Sequence, residues 1–227
     1  LAEELAPLGA LHATHMRGES DHVAEALEEA FAIGRHALVP VVISHFKVSG
    51  RGNWGRSAMT LAQWRKAAGG QPLALDAYPY AASSTVLKSD YVAEAPRVLI
   101  TWSKSHPEQA GRDLDEIAAD WGLDRAAAAE RLQPAGAVYF SMDEADVRRI
   151  LAFPETMIGS DGLPHDQHPH PRLWGAFPRV LGHYAREVGL FPLEEAIRRM
   201  TSLSAERFGL VVRGTLAEGA FADLVLF

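Results

Sequence analysis

Cysteine is absent from this sequence. Its absence excludes disulfides, a thiolate nucleophile and a thiolate metal ligand contributed by this chain. No apolar run approaches the roughly 20 residues that a membrane-spanning helix needs, and the first residues carry no signal-peptide pattern. No basic run occurs either: Lys and Arg number 22 against 29 Asp and Glu, a formal net charge of −7. Neither nucleic acid nor a membrane surface is therefore an expected partner. A phosphate-binding G-x-x-x-x-G-K-[ST] loop is lacking, as is a G-x-S-x-G nucleophile elbow. There is no fixed-period repeat and no low-complexity segment. What remains is 227 residues, 48% of them apolar. That is enough for one large domain or a piece of a bigger one, and the expected location is cytoplasmic.

The first half alternates between strand and helix patterns. "ALHATHM" reads as a short strand, and "SDHVAEALEEAFAIGRHA" follows with Val23, Ala26, Leu27, Ala30 and Phe31 on one helical face and Ser20 as the candidate N-cap. "VPVVISHF" is continuous and β-branched, as a strand buried on both faces should be. "TLAQWRKAA" reads as a helix stopped by two glycines, and "PLALDAYPY" as the next strand. This rhythm predicts parallel strands with crossover helices, in an α/β layer or barrel. Residues 1–85 are assigned to these βα units. Residues 86–135 break the rhythm with "RVLITWS" and two Ala-rich helices, and read as an inserted subdomain. Residues 136–210 resume it with "AVYFSM", "DEADVRRILA", "TMIGSD" and later helices, and residues 211–227 read as a turn and a final strand. Three or four βα units cannot close an eight-stranded barrel. Both ends therefore suggest part of a longer protein, with an open sheet or a self-associating half-barrel as the alternatives. Such a half-barrel would favour association, because open strand edges and apolar faces need cover.

His15 in "ATHMRGE" and His45 in "VISHFK" each fall at the C-terminal end of a predicted parallel strand, and Asp161 in "IGSDG" falls at the end of a later one. Barrels build their active sites there. Neutral imidazoles suit zinc, and a nearby carboxylate can take a proton from metal-bound water. Strand order alone leaves a metal site and ordinary structural histidines equally open. After Asp161 comes a run holding His165, His168 and His170, the last two in "HPHP". Prolines favour an extended loop there, so a rigid scaffold is preferred to ligation. Within that loop Arg172 could meet a carboxylate in bidentate fashion or form a surface salt bridge. Lys47 projects from the same strand end as His45 and could hold an anion. Tyr78 and Ser84, at and just beyond the third strand, offer hydroxyls; packing with a capping hydrogen bond is the alternative. "RGNWGR", Arg51 to Arg56, reads as a mobile loop or lid.

The strings "ATHMRGE", "VVISHFKVSGRGNWGRS", "DAYPYAASSTVL", "GSDGLPHDQHPHPRLWGAFPRVL" and "MTSLSAERFGL…RGTLAEGAFADLVLF" resemble the D-aminoacylases, N-acyl-D-amino-acid deacylases of the amidohydrolase superfamily. The resemblance runs over nearly the whole chain and is weakest from Val86 to Ala135. It implies the C-terminal part of a metal-dependent (β/α)₈ barrel with a small inserted subdomain, ending in a strand of a β-sandwich. It also implies that His15 and His45 bind zinc, that Asp161 is the catalytic general acid/base, and that Lys47, Tyr78, Ser84 and Arg172 hold the substrate. The implied reaction hydrolyses an N-acyl-D-amino acid to a carboxylate and a free D-amino acid. Two features of the family, an H-x-H on the first strand and a thiolate ligand, have no counterpart among these residues. The third zinc ligand is therefore expected from an upstream part. Opening of cyclic amides is the alternative chemistry, and a non-catalytic remnant or assembly module the alternative role.

Overall fold

The computed structural model describes residues 1–164 and 166–227; His165 lies outside the described residues. After a 3₁₀ turn at Ala2–Leu8, the chain runs β1 (His12–Thr14), α1 (Val23–Ala37), β2 (Val41–Ile43), α2 (Ser57–Ala68) and β3 (Leu73–Ala77). It continues through β4 (Ser83–Val86), α3 (Ser89–Glu94), β5 (Arg97–Ser103), α4 (Leu114–Trp121), α5 (Arg125–Leu132) and β6 (Ala135–Phe140). Then follow α6 (Glu144–Ala152), β7 (Thr156–Ile158), α7 (Ala176–Arg179) continuing as π-helical turns at Val180–Glu187, α8 (Leu193–Met200) and α9 (Ser202–Arg207).

Four strands pair in the order β1-β2-β3-β7, all parallel, with Val42 opposite both Ala13 and Ala74, and Asp76 opposite Met157. Side chains alternate across this sheet. Val41, Ile43, Leu73, Leu75, Ala77 and Ile158 bury against Val23, Leu27 and Phe31 of α1, Leu61 and Trp64 of α2, and Val147, Ile150 and Leu151 of α6. Val42, Ala74 and Met157 face the other way, where Leu203 of α9 packs on them. Helices outside and a second apolar face inside make an arc of the α/β barrel that the alternation predicts. The arc aims all four strand C-termini at one rim.

The periodic face of α1 is buried as expected, but its N-cap is His22 rather than Ser20, whose carbonyl instead accepts the Val23 N–H at 3.1 Å. Nor is the Arg51–Arg56 segment a free lid. Asn53 is buried and donates to Asp21 Oδ1 at 2.8 Å, the Trp54 indole donates to the Ser141 carbonyl at 3.0 Å, and the Gly55 N–H donates to Asp146 Oδ2 at 2.6 Å. Asp146 of α6 also accepts from the Ser57 hydroxyl and, at 3.3 Å, from the Ser57 N–H that opens α2, so it supplies the cap that α2 lacks from its own N-cap side chain.

Two boundaries shift. The inserted unit was expected to span 86–135, with "AVYFSM" returning to the barrel. In the structure β6 is the middle strand of a separate antiparallel sheet, β4-β6-β5, with Ser84 opposite Val138 and Val98 opposite Tyr139. The insertion thus reaches from Ser83 to Phe140 and has its own core, including Val98, Ile100, Leu114, Ile117, Leu132 and Tyr139. A fully buried strand reads the same in a parallel or an antiparallel sheet, and only its partners distinguish the two. Nor does the tail form the final strand that its sequence predicts. Among the described residues 211–227 none is in a strand, and Leu224 to Phe227 are exposed. An apolar segment cannot form a ladder alone.

Gly34 marks where α1 meets β2. A Cβ there would lie 2.4 Å from Val41 Cγ2 and 3.2 Å from the Val39 carbonyl. Helix propensity alone would have Gly34→Ala stabilise by about 1 kcal/mol. Overpacking against the fully buried Val41 should reverse the sign and leave the variant about 1–3 kcal/mol less stable by urea denaturation.

Candidate metal and anion site at the barrel rim

The strand ends deliver their side chains to one cavity of about 480 Å³, walled by His15, Glu19, His45, Lys47, Ser84, Asp161 and Arg172. His15 directly follows β1, His45 lies two residues past β2 and Asp161 three past β7. Six of the seven residues nominated from sequence are therefore brought together. Tyr78 stands behind the wall instead. It is buried, with its ring 5.7 Å from Lys47 Nζ and 4.7 Å from the Arg172 guanidinium.

His15 Nδ1 and His45 Nε2 face each other at 3.0 Å. Two nitrogens bound tetrahedrally at 2.0–2.1 Å from zinc would lie about 3.3 Å apart, so the pair fits a shared ion with little movement. Glu19 completes the cluster and was not singled out from sequence, although it ends the quoted string "ATHMRGE". Its Oε1 lies 3.1 Å from His45 Nδ1, 3.7 Å from His15 Nδ1 and 2.6 Å from Lys47 Nζ. All three residues could offer ligand atoms within 4.8 Å of one another. Lys47 Nζ also sits 2.6 Å from His45 Nδ1 and donates to the His45 carbonyl at 2.8 Å. With Nε2 given to a metal, Nδ1 must carry the ring hydrogen, and the Glu19 carboxylate is its natural acceptor.

Charge and burial compete throughout this cluster. Burial pushes the Glu19 carboxyl up, but the Lys47 ammonium and the hydrogen bond with His45 outweigh it and hold the group at about 2. Burial lowers Lys47, against the pull of Glu19. It lowers His15 as well, favouring the neutral imidazole that a metal requires, with Glu19 opposing.

In the same cavity Asp161 Oδ2 accepts from Arg172 Nη1 at 2.7 Å, while Arg172 Nη2 donates to the Ser84 carbonyl at 2.8 Å. The Ser84 hydroxyl donates to the Ala137 carbonyl at 3.2 Å. Two buried polar atoms beside this knot, Arg172 Nε and the Tyr78 hydroxyl, have no partner among the described residues. The "HPHP" run explains how the guanidinium is presented. His170 is buried, its Nδ1 accepts the Arg172 N–H at 2.9 Å, and its ring meets Tyr80 edge-on at 5.0 Å. His170 is thus a scaffold, as the prolines suggested.

An arc of an α/β barrel with paired imidazoles and a carboxylate at its strand ends is the arrangement that barrel metal hydrolases use. The amidohydrolase family model matches residues 3–227, and the chain belongs to that family. It is 62% identical to a D-aminoacylase of Alcaligenes xylosoxydans xylosoxydans over 219 residues, 96% of this chain and 45% of that one. It is 53% identical to an N-acyl-D-glutamate deacylase of the same organism, covering 100% of this chain and 47% of the relative. A solved N-acyl-D-glutamate deacylase from Bordetella bronchiseptica, complexed with zinc and a phosphonate inhibitor, superposes with a TM-score of 0.93 at 51% identity, over 98% of this chain and 47% of that one. The chain therefore spans less than half the length of the relatives it matches.

Burial, with Arg172 adding to it, lowers the His170 imidazole from 6.5 to about 4. The unfolded chain then binds this proton more readily than the folded one. Stability from this group is complete above about pH 6.5 and falls as pH drops toward 4, by at most about 1.4 kcal/mol per pH unit. His170→Asn keeps an acceptor for the Arg172 N–H but cannot titrate. Its unfolding free energy should be flatter than wild type across that window, read by urea denaturation at stepped pH.

Proposed function

We propose that this chain forms part of a zinc-dependent hydrolase that cleaves N-acyl-D-amino acids to a carboxylate and a free D-amino acid. The observation that carries the proposal is the pair of imidazole nitrogens at 3.0 Å on the cavity wall that also holds the Asp161–Arg172 pair. One cavity thus gathers groups suited to a cation and groups suited to a carboxylate. In this reading His15 and His45 hold zinc, with Glu19 fixing the His45 ring and a third protein ligand coming from another part of the complete enzyme. Zinc, when bound, supplies Lewis-acid polarisation of the acyl carbonyl and lowers the pKa of water.

Lys47 and Arg172 anchor the α-carboxylate of the substrate. Both cations are desolvated, which strengthens their attraction for an anion. Tyr78 and Ser84 act by bracing those cations, Tyr78 from behind and Ser84 through its carbonyl. A carboxylate that takes the Arg172 fork competes with Asp161 for it. Substrate binding would then release Asp161 to accept a proton from the attacking water and return it to the departing amine. The outer edges of β1 and β7 have no strand partner among the described residues. In the complete enzyme they are covered by the rest of the barrel, or in this chain alone by a second copy. No helix among the described residues is long and apolar enough to cross a membrane.

The test is zinc content and N-acetyl-D-methionine hydrolysis, with this chain alone and co-expressed with the remaining segment of a relative. Co-expression should raise both. Asp161→Asn should then keep its zinc while losing about 10²–10⁴-fold in kcat, and His45→Ala should lose the zinc. Unchanged turnover in Asp161→Asn, or full zinc in a His15→Ala/His45→Ala variant, would refute these roles.

A further inference from the structure

The backbone at His45 is left-handed, with φ of 41° at a residue that is not glycine. That conformation is unfavourable by about 1–2 kcal/mol for an L-residue and persists only where its surroundings over-determine it. Lys47 holds the carbonyl side of this turn, donating to the His45 oxygen at 2.8 Å, and Asp76 holds the amide side. Asp76, on β3, accepts the His45 N–H on its side-chain Oδ1 at 2.8 Å, and its main-chain carbonyl accepts the next N–H, that of Phe46, at 2.7 Å. Two successive amides of the left-handed turn are thus held by the two acceptors of a single aspartate.

The same carboxylate reaches the other side of the site. Asp76 lies opposite Met157 of β7 and shares its side of the sheet. Two residues on, a Cβ at Gly159 would lie 3.0 Å from Asp76 Oδ1, and the Gly159 N–H donates to the Ala77 carbonyl at 3.1 Å. Glycine at 159 lets the strand leading to Asp161 pass close against this carboxylate. Half-buried Asp76 therefore sits between the chain segment carrying His45 and the one carrying Asp161.

We propose that Asp76 is a positioning residue for the metal site: by clamping the left-handed turn at His45 it sets the direction of that imidazole toward His15. The metal role of His45 rests on the function proposed above, whereas the clamp itself does not. Leu75 and Ala77, its neighbours on β3, pack into the helix-side core, whereas the Asp76 carboxylate lies on the opposite face with the His45 N–H.

The experiment follows amide hydrogen exchange and cobalt(II) binding in this chain, in wild type, Asp76→Ala and Asp76→Asn. Asparagine retains the Oδ1 acceptor and should behave as wild type within a few fold. Asp76→Ala should expose the His45 amide, with exchange about 10- to 100-fold faster, the equivalent of one hydrogen bond to a charged group. The Val42 and Leu75 amides should be unchanged. Cobalt affinity should fall about 10- to 100-fold in Asp76→Ala and recover in Asp76→Asn. A His45 amide equally protected in Asp76→Ala, or one that opens together with Val42 and Leu75, overturns the clamp. If wild type binds cobalt no better than His15→Ala, the metal reading fails, while the exchange data still decide the role of Asp76.

Discussion

Arg172 is the tie on which the site depends. Its side chain is only 6% exposed, and an isolated buried charge carries a desolvation penalty of several kcal/mol. The structure offsets that penalty with partners from three places. Asp161 comes from the end of β7, the Ser84 carbonyl from the first strand of the insertion, and the Tyr78 ring from the end of β3. His170 fixes the Arg172 backbone from the proline-braced loop. Removing any one partner leaves the cation less compensated, so the insertion, the loop and the barrel arc are held in one arrangement by one charge.

A second buried cation plays the matching part in the same cavity. Lys47 is as deeply buried as Arg172 and is balanced by Glu19, which also touches both histidines. Burial disfavours the Lys47 ammonium, and the carboxylate beside it opposes that penalty. Glu19 thereby serves the anion side and the imidazole side together. Its position four residues after His15, just beyond β1, is what permits both contacts.

Much of the fold was legible because periodicity reports burial directly. The α1 face, two of the insertion's three helices (α4 and α5) and the parallel strands follow from spacing alone, whereas the short α3 does not. So does the gathering of His15, His45 and Asp161, since parallel strands must deliver their C-terminal ends to one rim. Less legible was anything settled by partners remote in sequence. β6 carries a continuous buried run whose membership in the insertion depends on register with β4 and β5. Tyr78 follows the strand-end rule in sequence, but its ring packs against the buried Lys47 and Arg172 and does not line the cavity. The apolar tail has the composition of a strand and, in this chain, nothing to pair with.

Glu19 and Asp76 show why the hidden part of a site is harder to read than its exposed part. A ligand or a catalytic carboxylate must reach the cavity, and strand-end placement betrays it. A residue that orients those groups can sit anywhere that geometry brings its oxygen to the right hydrogen. Asp76 is 31 positions from the amide it accepts, and its reach depends on β2 and β3 being neighbours in parallel register. The left-handed turn at His45 then converts that register into a direction for one imidazole. Register and one strained turn, acting together, bring two histidines from separate strands to within 3.0 Å.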